Sequence, residues 1–151
     1  MMRHLFWAAV ALATAVAAHA GTAPNLARNG RSAHVNYMTE CQGCHLSDGS
    51  GQKGSVPSMK GELHRFLAVE GGREFLVQVP GSANSKLSDA DLAALLNWLL
   101  PKMGGITADG FKPYTAEEVA LYRAQRLVDV TGTRAALVAK FAQPETSSVT
   151  R

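Results

Sequence analysis

Apolar residues run unbroken only near the start of the chain; further on they recur at helical spacing. Leu92, Leu95, Leu96 and Leu99 follow the three-four rhythm of a helix with one buried face, and predict a helix over Asp89 to Leu100. Ser88 is placed to cap it, with Asp91 three residues on and Leu87 facing Leu92 across the first turn. Pro101 predicts its end near Leu100. Thr115 to Gln125 repeats the logic, with Thr115 as cap, Glu118 completing a capping box, and Tyr114 facing Val119. Ser32 to Gln42 reads as an earlier helix with Val35 and Met38 on one face and Cys41 continuing it. Glu62 to Val69 and Gly72 to Val79 read as two short helices broken at Gly71-Gly72, the second ended by Pro80-Gly81. Thr131 to Phe141 reads as a last short helix. Leu46 to Pro57 and Lys102 to Pro113 are glycine-rich connections; Gly21 to Gly30 reads as a polar tail and Gln143 to Arg151 as a frayed end. No alternation of apolar and polar residues predicts a strand, and no internal repeat is present. The expected fold is all-α with much loop.

The unbroken stretch changes the picture of where the chain works. Leu5 to Ala18 is apolar for 14 residues, short of the roughly 20 that cross a bilayer. Arg3 precedes it and Ala18-His19-Ala20 follows, the pattern of an export signal cleaved after Ala20. Residues 1–20 are therefore expected to be removed, with no membrane span in what remains. The mature chain is of one-domain size. With 46% hydrophobic and 18% charged residues it is not a disordered polymer, and two cysteines exclude a disulfide scaffold. Loss of Arg3 lowers the formal net charge from +3 to +2. No basic run interleaved with aromatics points to nucleic acid.

Both cysteines lie in one pentapeptide, Cys41-Gln42-Gly43-Cys44-His45. Cys-x-x-Cys-His is the attachment signal of c-type haem. A tight turn presents two thiols to the two vinyl groups of one porphyrin, and the next residue offers its imidazole to the iron. A thioredoxin-like redox pair would follow a strand in an α/β fold, and no strand is predicted. A zinc site needs four ligands, and only His64 is available downstream.

With this pentapeptide the chain resembles the class I monohaem c-type cytochromes from about Ser32 to Leu100. Supporting features are the loop Asp48-Gly49-Ser50-Gly51, the run Val56-Pro57-Ser58-Met59-Lys60-Gly61, similar to the family's Pro-x-Leu-x-Gly, and the capped helix from Ser88. The resemblance implies a small helical cytochrome c-like fold around one covalent haem c, over residues 21–103, with residues 104–151 as a C-terminal helical extension. It implies Cys41 and Cys44 as covalent attachment points and His45 as the proximal iron ligand. It also implies that the Pro57 carbonyl accepts a hydrogen bond from His45. Leu46 stands where the family often has glycine.

The family's axial methionine precedes the last helix, but Pro80 to Leu87 holds neither methionine nor histidine. Met38 reads as core and Met59 as packing on the proximal side, while His34 and His64 read as surface residues. Met103, on a turn after Pro101 and before Gly104-Gly105, is the sixth-ligand candidate. Trp98 reads as core packing rather than an electron relay. Arg65 and Arg73 suit haem propionates but read first as solvated. No nucleophile or phosphate-loop motif is present.

The expected function is single-electron shuttling in the periplasm, between a dehydrogenase and an acceptor such as an oxidase, by a carrier that is not an enzyme. An iron without a sixth protein ligand would instead make a small-ligand sensor or a peroxidatic protein.

Overall fold

The computed structural model describes residues 27–141. Its helices are α1 (Ala33–Glu40), α2 (Leu63–Leu67), α3 (Gly72–Gln78), α4 (Pro80–Ala83), α5 (Asp89–Met103), α6 (Ala116–Arg123) and α7 (Val130–Lys140). There is no strand among the described residues, only a bridge pairing Gln52 with Val56. The all-α expectation is met.

The caps form from local sequence. Ser32, Ser88 and Thr115 each accept a hydrogen bond from the backbone N–H three residues on, opening α1, α5 and α6. Asp129 does the same for α7 through Gly132. Leu92, Leu95, Leu96 and Leu99 are all buried, as their spacing requires. They form one core with Tyr37 of α1, Phe66 of α2, and Phe75 and Val77 of α3. Phe66 stacks on Phe75 and meets Phe141 edge-on.

Several elements depart from their expected limits. Helix α5 does not stop at Leu100 but runs through Pro101 to Met103. Proline costs this turn one backbone bond, but the segment before α2 holds the helix end. Gly61 N–H donates to the Met103 carbonyl and His64 N–H to that of Gly104. Pro80 does not simply end α3; it opens α4 at a first-turn position, where its missing N–H costs nothing. On α1 the buried pair is Asn36 and Tyr37, while Val35 and Met38 are exposed, so Met38 is not core. The capping box at Thr115 is half formed, because the Glu118 carboxylate turns away to Arg73.

The chain after α5 folds back over the rest. Helix α6 packs on α5 and α3, and α7 on α3. Two arginines fasten it. Arg73 makes a two-pronged ion pair with Glu118, donates to the Lys112 and Pro113 carbonyls, and lies 3.8 Å over the Tyr114 ring. The Tyr114 hydroxyl in turn donates to the Arg73 carbonyl. Arg123, on α6, donates to the carbonyls of Ser82, Ser85 and Leu87 and to the Asp89 carboxylate.

Candidate haem site

Helix α1 ends where the pentapeptide begins. The Tyr37 carbonyl accepts from both Cys41 N–H and Gln42 N–H, and the Cys41 carbonyl accepts from both Cys44 N–H and His45 N–H. The backbone thus closes one tight turn, and both thiols and the imidazole project from it. Both cysteines are free thiols, Cys41 half-buried and Cys44 exposed. Burial, with Glu40 and Cys44 nearby, pushes the Cys41 thiol up to about 11.

His45 is half-buried, and burial lowers its pKa, which favours the neutral imidazole a metal requires. Its Nδ1 is buried with no hydrogen-bond partner. The expected bond from His45 to Pro57 is therefore not formed. The Pro57 carbonyl instead lies against Gly51, where any side chain would also strike the Val56 carbonyl. Tyr37 was missed as a site residue. It lies four residues before Cys41, hence on the same helix face, and its hydroxyl donates to the Leu46 carbonyl at 2.6 Å. It holds the turn at both ends.

The loop after His45 returns to the core. Gly49 N–H donates to the Leu46 carbonyl, and Met59 N–H donates to that of Gly49. At φ +83°, Gly49 has a backbone that side chains avoid, and a Cβ there would sit 2.6 Å from the Met103 sulfur. Met103 therefore packs on this loop. Asp48, bonded by Lys60 and the Ser50 backbone, has its carboxyl held well below the usual range.

Of the other residues weighed, Met59 is partly buried against the core. His34 and His64 are exposed. Arg65 pairs with Glu62 and lies over Phe141, and Arg73 is committed to Glu118. Neither is a solvated free charge. Pro80 to Leu87 is held by Arg123, and by Arg126, which donates to Asn84.

The chain is similar to cytochrome c-552 of Thermus thermophilus, 36% identical over 112 residues, spanning 62% of this chain and 86% of that protein. A second cytochrome c-552, from another strain record of Thermus thermophilus, is 36% identical over 112 residues and is covered to 76% of its length. The chain belongs to the class I c-type cytochromes. No family model and no solved structure matches it.

Membership makes it a monohaem electron-transfer protein carrying haem c and its iron, an electron carrier and not an enzyme. The donor set fits the group: two free thiols and a buried, unpartnered imidazole share one turn, as covalent haem requires. No described helix is long and apolar enough to cross a membrane.

Proposed function

We propose that Cys41 and Cys44 hold the porphyrin through thioethers, that His45 ligates the iron, and that the protein shuttles single electrons in the periplasm. The supporting observation is the closed turn that gathers all three groups at the end of α1. Haem c supplies one-electron chemistry at its iron. The chain's own residues set the conditions. Cys41 and Cys44 make the cofactor inseparable from the protein. Tyr37 fixes the turn, and the neutral His45 donates to the metal. The leucine face of α5 excludes water, so little rearranges when charge changes. The export signal, residues 1–20, lies outside the described residues; with cleavage after Ala20 it supports the periplasm as the working place. A dehydrogenase and an oxidase there are the fitting redox partners. Residues 21–103 form the haem-bearing unit and 104–151 the extension.

Met103 is the proposed sixth ligand, as the half-buried thioether at the end of α5. Its contact with Gly49 must open for that role. That contact favours a second reading, in which the sixth position takes a small exogenous ligand. An optical comparison of the parent with Met103→Ala separates the two. Loss of a ferric near-infrared sulfur-to-iron band in the variant, with new carbon monoxide binding to the ferrous form, supports the ligand. An unchanged spectrum rejects it, and carbon monoxide binding by the parent establishes the open site.

A further inference from the structure

Trp98 lies off the leucine stripe of α5. It is only half-buried and forms a wall of an open groove of about 750 Å³ between α1, α5 and the start of α6. A ring placed for core packing alone would face the leucines. This one sits between two other rings. His34, exposed on α1, stacks on it with centroids 5.6 Å apart and planes 29° apart. Tyr37, one turn along α1 and wholly buried, approaches it to 6.0 Å. Tyr37 in turn touches the attachment turn at both ends, through its carbonyl to Cys41 and its hydroxyl to the residue after His45. The run of rings therefore begins beside the iron ligand and ends in solvent.

The run is also rigid. Asn97, next to Trp98, exchanges two hydrogen bonds with the Tyr114 backbone, and Leu99 and Leu100 are buried on its other side. Electron tunnelling weakens exponentially with the gap to be crossed, and closely spaced π systems held in fixed orientation keep each gap small.

We propose that Tyr37, Trp98 and His34 form an electron conduit giving the protein a second redox port at the α1/α5 face, apart from the porphyrin edge at Cys41 and Cys44. The inference rests on the haem attachment proposed above. A one-electron redox centre brought to His34 loses one electron, and ferric haem iron gains it. The three rings bridge the transfer with no net change in their own oxidation state, and no proton moves.

The test uses holoprotein carrying His64→Gln, so that His34 is the exposed histidine left for a ruthenium bipyridine photosensitiser. After a flash, the oxidised ruthenium draws an electron from ferrous haem, and haem absorbance reports the rate. Trp98→Leu is expected to slow it about tenfold, the effect of ~1.4 kcal/mol of added barrier, while the midpoint potential stays that of the parent. Trp98→Phe, which keeps a ring in the stack, is expected to retain most of the rate. With the label moved to Lys53→His, on the glycine-rich loop, the Trp98 variants are expected to have no effect. Should Trp98→Leu yield no holoprotein, Trp98→Met serves as the ringless variant. Equal rates from His34 with and without the ring overturn the conduit and leave the haem reading standing. A preparation without haem absorbance overturns the attachment instead.

Discussion

The attachment turn with its following loop, and the wrap from residue 104 to residue 141, are ordered by different means. Between Leu46 and Gly61 the chain is glycine-rich and mostly exposed, and its ion pair, Lys60 with Asp48, is solvent-facing. Such a pair contributes little. In the wrap, two arginines whose side chains are 20% and 15% exposed each satisfy several acceptors at once. The wrap is fastened by charge-assisted hydrogen bonds within the polypeptide. The site leaves an imidazole nitrogen buried and unsatisfied, and depends on its cofactor for the remaining order. Damage to the two regions should therefore separate cleanly into lost chemistry and lost stability.

The largest effect lies at the turn. Cys41→Ala with Cys44→Ala is expected to abolish covalent haem altogether, read as absent haem stain on a denaturing gel. Stain surviving at parental intensity would contradict the comparison. Next come the fasteners. Arg123→Leu or Arg73→Leu is expected to cost about 2–3 kcal/mol in denaturant unfolding of the holoprotein, since each strands acceptors bonded to a charged donor. The visible spectrum should stay that of the parent. A spectral change without loss of stability would show that the wrap serves the site rather than the fold. Arg73→Lys should recover only part of the loss, because an ammonium lacks the planar fork.

A smaller effect follows pH. The Arg73 guanidinium holds the Glu118 carboxyl below its ordinary value. A carboxylate lowered in the folded state contributes stability that is full above its unfolded pKa and disappears as pH falls through the folded one. The parent should thus lose more stability on acidification from neutral pH than Glu118→Gln does. Parallel acid profiles would remove the ion pair from the account. The smallest effect belongs to the thiols of haem-free polypeptide. With Cys41 pushed up to about 11, alkylation at mildly alkaline pH should map first to exposed Cys44, and the preference should vanish in denaturant.

What could be read from the chain beforehand was local. Ser88 and Thr115 cap because a side-chain oxygen reaches three residues, and the pentapeptide carries its whole geometry within five. What could not be read was long-range. Pro101 sits inside α5 because Gly61 and His64, some forty residues earlier, bond the helix end. Glu118 left its box for an arginine 45 residues away, and Arg123 found carbonyls on the segment before α5. Val35 and Met38 suggested the wrong face of α1 because the helix buries Asn36 and Tyr37, and the amide gave no apolar signal. The bond from His45 to Pro57 failed because the Pro57 carbonyl packs against Gly51.

The central claim is that one haem is joined to Cys41 and Cys44. It is tested most directly by intact mass and colour of protein exported from a host that ligates haem, after denaturation and extraction with acidified organic solvent. The account predicts that colour stays with the chain and that the mass is polypeptide plus one haem. Colour passing into the solvent, with the mass of bare polypeptide left behind, would contradict it.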